Sequence, residues 1–348
     1  MPNEERLNDW FKERKARFSE RRADELFQRI CQQDRGALSA GITLVESSRP
    51  EDRFEANKLL QLCLSQKKQA WRIGITGVPG VGKSTLIESF GNFILQHKQN
   101  LAVLAIDPSS NVTGGSILGD KTRMETLSNN ARVFIRPTAA GTTLGGVARH
   151  TREAIILCEA AGFEVIFIET VGVGQSETIV HSMVDFFLLL MLAGAGDELQ
   201  GMKRGIMEMA DGMIITKADG ENIQKSNWAR REYANALHLF PAKENDWITQ
   251  VHTASSMTKE GFEDIWNNIE SFFIKMNHSG WITENRKRQE LAILEEMMRS
   301  LLQSDFFSND RWMEKYHAVE EQVKLGNILA YHAAEELFQE FRSSISTL

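Results

Sequence analysis

The chain has 348 residues, 42% of them hydrophobic and 25% charged, a balance that suits one large globular domain with extensions or two modest ones. Its formal net charge of -7 argues against nucleic acid or an anionic membrane surface as a main partner, because both favour an excess of Lys and Arg. Cys31, Cys63 and Cys158 are far apart and form no C-x-x-C pair, which argues against a disulfide framework or a zinc knuckle and for a reducing compartment.

The first residues, Met1 to Arg6, are charged and no apolar stretch follows them. Acidic residues interrupt the basic series Arg14, Lys15, Arg17, Arg21 and Arg22, so neither a signal peptide nor a transit peptide is expected, and the expected location is cytoplasmic. From Leu7 to about Leu64 apolar residues recur at helical spacing, as in Leu7, Trp10, Phe11 and Phe18, then Leu26, Phe27 and Ile30. Ser47-Ser48-Arg49-Pro50 breaks this pattern, with Pro50 suited to a first helical turn and Glu51 and Asp52 to the positive end of the helix that follows. At least three helices are expected before residue 70.

From Trp71 the pattern changes to short apolar runs separated by helical stretches: 72–76, 101–106, 132–135, 165–168, 186–192, 212–216 and 248–253. Strands alternating with helices imply right-handed crossovers and a doubly wound α/β domain with a mostly parallel sheet. The run Phe186 to Ala193 is too short to span a bilayer and follows Asp185, so it reads as a buried strand. Beyond Met276 only helical spacing remains, through Leu291, Leu294, Met298 and Leu301, then Leu325, Ile328, Leu329 and His332. The expected organisation is therefore an N-terminal helical extension over 1–70, a nucleotide-binding domain over 71–276 and a C-terminal helical arm over 277–348.

The run 72–76 leads directly into Gly77-Val78-Pro79-Gly80-Val81-Gly82-Lys83-Ser84, a G-x-x-x-x-G-K-S phosphate loop, and then into the helical Thr85-Leu86-Ile87. Glycines let such a backbone wrap closely around phosphate oxygens, Lys83 neutralises the β and γ phosphates, and Ser84 offers its hydroxyl to Mg²⁺. Mg²⁺ prefers hard oxygen ligands, and three carboxylates are candidates for it. Asp107 follows the second strand, Asp120 lies in the glycine-containing stretch 114–120, and Glu169 ends the fourth strand in E-x-x-G with Gly172.

After the run 212–216 comes Thr216-Lys217-Ala218-Asp219, which matches the guanine-reading N-K-x-D loop with Thr in place of Asn. Asp219 is expected to accept the guanine hydrogen bonds and Lys217 to lie along the base. Thr216, with a hydroxyl instead of an amide, is expected to weaken the loop tie. Thr253-Ala254-Ser255-Ser256 suits a second base-contact loop through Ser255 and Ser256. Two stretches are placed to sense the γ-phosphate: 170–177, where Gln175 is a candidate to orient the attacking water, and 193–204, where Lys203 or Arg204 is a candidate to reach developing phosphate charge. The catalytic candidates are thus Lys83, Glu169, Gln175 and Lys203, with GTP or GDP and Mg²⁺ as the expected ligands.

On these residues, above all 77–84, Asp107-Pro108-Ser109-Ser110, the stretch 169–177 and the stretch 194–201, the chain resembles the MeaB and ArgK type of P-loop GTPase, chaperones of adenosylcobalamin-dependent methylmalonyl-CoA mutase. The resemblance covers nearly the whole chain. It implies Mg²⁺ contacts from Ser84, Asp107, Asp120 and Glu169, guanine recognition by Lys217 and Asp219, and an additional switch across 193–204. It further implies a homodimer held by the C-terminal arm, and GTP hydrolysis that gates cofactor loading onto an acyl-CoA mutase partner. Thr216 and Ala193 depart from the family's usual Asn and Pro. No D-x-H-x-x-G cobalamin motif is present, so the cofactor is expected to belong to the partner.

Two rival readings remain: a metal-insertion GTPase, which calls for clustered His or Cys where this chain has isolated His150, His181 and His252, and a transport-associated ATPase or kinase, which calls for an acceptor pocket.

Overall fold

A computed structural model describes residues 22–106, 124–138, 144–170, 176–194 and 204–345. Three helices come first: α1 (Arg22–Cys31), α2 (Arg35–Val45) and α3 (Pro50–Leu64). Asp34 caps α2 by accepting from the Gly36 and Ala37 N–H groups, and Pro50 opens α3 where its missing N–H costs no hydrogen bond.

Seven strands then alternate with helices: β1 (Trp71–Gly77), α4 (Lys83–Ile94), β2 (Leu101–Ile106), the one-turn α5 (Glu125–Ser128), β3 (Val133–Thr138), α6 (Leu144–Ala160), β4 (Val165–Thr170), α7 (Ser176–His181), β5 (Phe186–Leu192), α8 (Arg204–Met209), β6 (Gly212–Thr216), α9 (Ile223–Leu237) and β7 (Gln250–Thr253). The chain continues as α10 (Phe262–His278), α11 (Trp281–Phe307), α12 (Asp310–Lys324) and α13 (Ala330–Ile345). The strands form one parallel sheet in the order β3-β2-β4-β1-β5-β6-β7. All the expected strands are present and the sheet is parallel throughout, in keeping with strand segments buried on both faces.

Alternation along each strand divides the core. Ala102, Leu104 and Ile106 of β2 pack with Ile166 and Ile168 of β4 against a layer built from α1, α2, α3 and α6, through Ile30, Leu38, Ile42, Leu59 and Leu157. Leu101 and Val103 face the opposite way with Ile73, Ile75, Val165 and Phe167, and meet α4 and α10 through Phe90, Ile265, Ile269 and Phe272. The three N-terminal helices thus share one buried cluster with the sheet.

Contacts divide the chain into two compact units between Thr283 and Glu284. Within the second unit, α12 and α13 pack through Trp312 and Phe341, whose rings meet edge to face at 5.3 Å. No helix among the described residues is long and apolar enough to cross a membrane.

Candidate nucleotide-binding site

A parallel sheet brings the C-terminal ends of all its strands to one rim, and in this order β1 lies between β4 and β5, where the chain switches sides. Gly77 ends β1 on that rim with φ of 155°, and a Cβ there would stand 2.5 Å from the Leu190 carbonyl oxygen, so no other residue fits the close approach to β5. Gly82, at φ of 94°, is the left-handed N-cap of α4 and delivers Lys83 and Ser84 as its first residues.

Within the loop, Val81 is buried and anchors it to the core, whereas Pro79, Gly80 and Thr85 are exposed and Val78 is half-buried. Lys83 is buried and its ammonium donates to the Gly77 carbonyl at 2.8 Å and to the Val78 carbonyl at 3.3 Å. Burial pulls its pKa below the ordinary lysine range, and the charges of Glu169 and Glu177 oppose that shift. Glu169, buried near the end of β4, accepts from the Ser84 hydroxyl at 3.3 Å. Glu169, 85 residues further along the chain, therefore meets the phosphate lysine and the loop serine at one point of the rim.

The base loop follows β6 on the same rim. Ala218 N–H donates to the Ala254 carbonyl, and Ala254 N–H to that of Ile215, so the loops after β6 and β7 are laced together. Asp219 Oδ2 accepts from the Ser255 hydroxyl at 2.5 Å, and that hydroxyl in turn accepts the N–H groups of Met257 and Thr258. The fully buried Ser255 thus acts as a brace for Asp219, while its neighbour Ser256 is half-buried. Lys217 adopts φ of 57°, is exposed, and donates from Nζ to the Gly80 carbonyl at 2.9 Å. Thr216 was expected to weaken the loop tie, yet its hydroxyl donates to the Val81 carbonyl at 2.7 Å.

Asp107, Asp120, Gln175 and Lys203 lie outside the described residues, as do most of the stretches 170–177 and 193–204. Three supporting residues escaped the sequence reading. Asn222 Nδ2 holds the Lys217 carbonyl at 2.7 Å. Gly261, at φ of 82°, leaves no room for a Cβ, which would lie 2.0 Å from the Thr253 carbonyl oxygen. Glu177 is a buried carboxylate near enough for Lys83 to feel its charge. The sequence signal for Glu177 was its place inside the stretch 170–177 read as a γ-phosphate sensor, where it was given no role of its own.

The isolated histidines take packing and surface positions: His181 stands edge-on to Phe187, and His150 Nδ1 lies 3.3 Å from Glu153. Among the described residues no group of three His, Cys, Asp or Glu side chains is arranged to hold a metal ion.

A family model described as "Methylmalonyl Co-A mutase-associated GTPase MeaB" matches residues 38–311. The GTPase ArgK of Escherichia coli K12 is 42% identical over 292 residues, covering 84% of this chain and 88% of that protein. The mitochondrial methylmalonic aciduria type A homolog of Mus musculus is 40% identical over 334 residues, covering 93% and 80%. The crystal structure of a LAO/AO transport system kinase matches with a TM-score of 0.75 at 33% identity, covering 92% of this chain and 97% of that one.

Proposed function

The chain belongs to the MeaB family of methylmalonyl-CoA mutase-associated GTPases, and from that premise we propose that it hydrolyses GTP to gate adenosylcobalamin loading onto an acyl-CoA mutase, methylmalonyl-CoA mutase above all, and to protect that enzyme from inactivation. The observation that carries the GTP reading is the joining of phosphate and base loops on one rim, with Lys83, Ser84 and Glu169 at one end and a braced Asp219 at the other.

Each residue has a role that follows from its chemistry. Lys83 gives up its two carbonyl acceptors for phosphate oxygens and supplies positive charge where the transferring phosphoryl group needs it. Asp219, held by Ser255, accepts the guanine N–H groups, and Lys217 lies along the base. The Ser84 hydroxyl and the Glu169 carboxylate are hard oxygens 3.3 Å apart at the edge of the phosphate cradle, a donor pair that suits Mg²⁺. Ser84 and Glu169, with Asp107 and Asp120, would hold the ion, which when bound neutralises phosphate charge. Gln175 is assigned to orienting the attacking water and Lys203 to meeting charge that develops on the phosphate.

The partner reading needs a nucleotide-dependent difference in affinity, because a ligand shifts an equilibrium only through differential binding. Residues 170–178 and 193–204 are the segments assigned to that sensing. A homodimer through the C-terminal arm is supported by the exposed apolar series Leu291, Leu294, Met298 and Leu301 along α11.

Two measurements test this function. The full-length protein should release phosphate from GTP, and Lys83→Ala should slow that release by roughly 100-fold or more. The protein should also co-purify with an adenosylcobalamin-dependent acyl-CoA mutase differently in GTP and in GDP; equal association in both, or none, would remove the chaperone role and leave the GTPase standing. The kinase named for the solved relative gives a second reading, favoured if labelled γ-phosphate passes to a substrate faster than to water.

A further inference from the structure

The phosphate loop is held from below by the base loop. Among the described residues, three side-chain donors reach its carbonyls: Lys83 those of Gly77 at 2.8 Å and Val78 at 3.3 Å, Lys217 that of Gly80 at 2.9 Å, and Thr216 that of Val81 at 2.7 Å. Two of the three donors come from the segment that reads the base.

These donors differ in permanence. Lys83 must turn to phosphate when a nucleotide binds, and Lys217 is exposed, so water competes for its bond to Gly80. Thr216 is 4% exposed, and its hydroxyl has a second acceptor, the Met191 carbonyl, at 3.2 Å. One hydroxyl has one proton to give, so the shorter contact to Val81 takes it. That bond is shielded from solvent and has no ligand to serve.

We propose that Thr216 is a positioning residue for the polyphosphate: its hydroxyl fixes the Val81–Gly82 peptide and so couples the base loop to the phosphate loop. A trans peptide is planar, with its C=O and N–H pointing opposite ways. Holding the Val81 oxygen toward Thr216 turns the Gly82 N–H away from it, toward the anion that the loop encloses. Thr216 therefore acts on phosphate binding whether or not a base is present, a role separate from reading guanine. The inference rests on the GTPase reading of this site.

The experiment compares GTP with inorganic tripolyphosphate, which has phosphates and no base, both titrated with Mg²⁺ into the full-length protein by calorimetry. Thr216→Val keeps the shape and removes the donor, leaving a buried carbonyl unpaired. It should weaken GTP and tripolyphosphate by the same factor, about tenfold. Thr216→Ser should restore both to within about threefold of wild type, since it keeps the hydroxyl. Asp219→Ala should weaken GTP while leaving tripolyphosphate unchanged. Amide exchange across 78–84 in the ligand-free protein should also quicken in Thr216→Val. If circular dichroism shows that variant unfolded, Thr216→Cys, a poor donor of similar size, takes its place with the same expected ratios.

Unchanged tripolyphosphate binding in the donor-deficient variant, or a loss confined to GTP, would overturn the proposal. Wild-type protein that binds tripolyphosphate but not GTP, with the variant weakening the former, would overturn the GTP reading and leave the coupling intact. Wild-type protein that binds neither would overturn both.

Discussion

The helices before the sheet and the long α11 after it share one sequence pattern and have opposite fates. In α2 and α3 the apolar positions Leu38, Ile42, Val45 and Leu59 are at most 3% exposed, sealed against α6 and the sheet. In α11 the equally periodic Leu291, Leu294, Met298 and Leu301 are 66%, 59%, 49% and 52% exposed. The difference teaches that helical periodicity announces an apolar face without saying what covers it. For the N-terminal helices the cover is this chain's own sheet. For α11 we assign it to a second copy.

The sharpest test of that contrast is an ion pair on the N-terminal side. Arg136 of β3 and Glu46, at the end of α2, meet at 2.7 Å with side chains 22% and 8% exposed. Glu46→Ala leaves the partly buried guanidinium its contacts with the Ser39 and Thr43 hydroxyls but no opposite charge, and should cost about 3 kcal/mol or more in urea unfolding. The arm's own pair, Lys315 and Glu340, is far more open, and Lys315→Ala should leave the unfolding midpoint where it was.

The apolar positions come next. Leu59→Ala removes a fully buried side chain and should cost about 2–5 kcal/mol, whereas Leu294→Ala should change unfolding by less than about 0.5 kcal/mol. Leu294→Asp should instead weaken self-association by about tenfold or more in sedimentation equilibrium. If self-association is untouched, a second copy does not cover that face and the comparison fails on the side of the arm.

The smallest effect is a pH dependence on the N-terminal side. The Asp34 carboxylate is held below its ordinary range, first by the Ala37 N–H and then by Arg29. A folded-state pKa below the unfolded one gives stability that is complete above the unfolded value of 3.8 and fades as pH falls from there through the lowered one. Asp34→Asn keeps a cap of equal quality and should flatten this part of the acid-unfolding profile, with little change at neutral pH.

Much of the fold was legible because its signals are local. The strand pattern located all seven strands, and among the boundaries that moved, those at the two edges did so for reasons the chain alone does not carry. The strand expected to end at Ile135 runs on to Thr138 through Pro137, which β3 tolerates because it lies at the sheet's edge, where a missing N–H breaks no ladder. At the other edge β7 begins at Gln250 and leaves Ile248 outside the sheet, 73% exposed.

The site divides in the same way. Gly77 to Ser84 declared itself because one short segment contains every part of the phosphate cradle, and Asp219 because its loop has a fixed spacing. The amino-acid order thus determined the kind of ligand, the sheet that presents it and the family. Only the tertiary structure decided what holds these parts in place: Ser255 bracing Asp219 across 36 residues of chain, and Thr216 joining Val81 across 135. A hydroxyl in a sequence offers one proton and no direction. The packing of β6 beside β5, and of the phosphate loop above them, determines which carbonyl receives it.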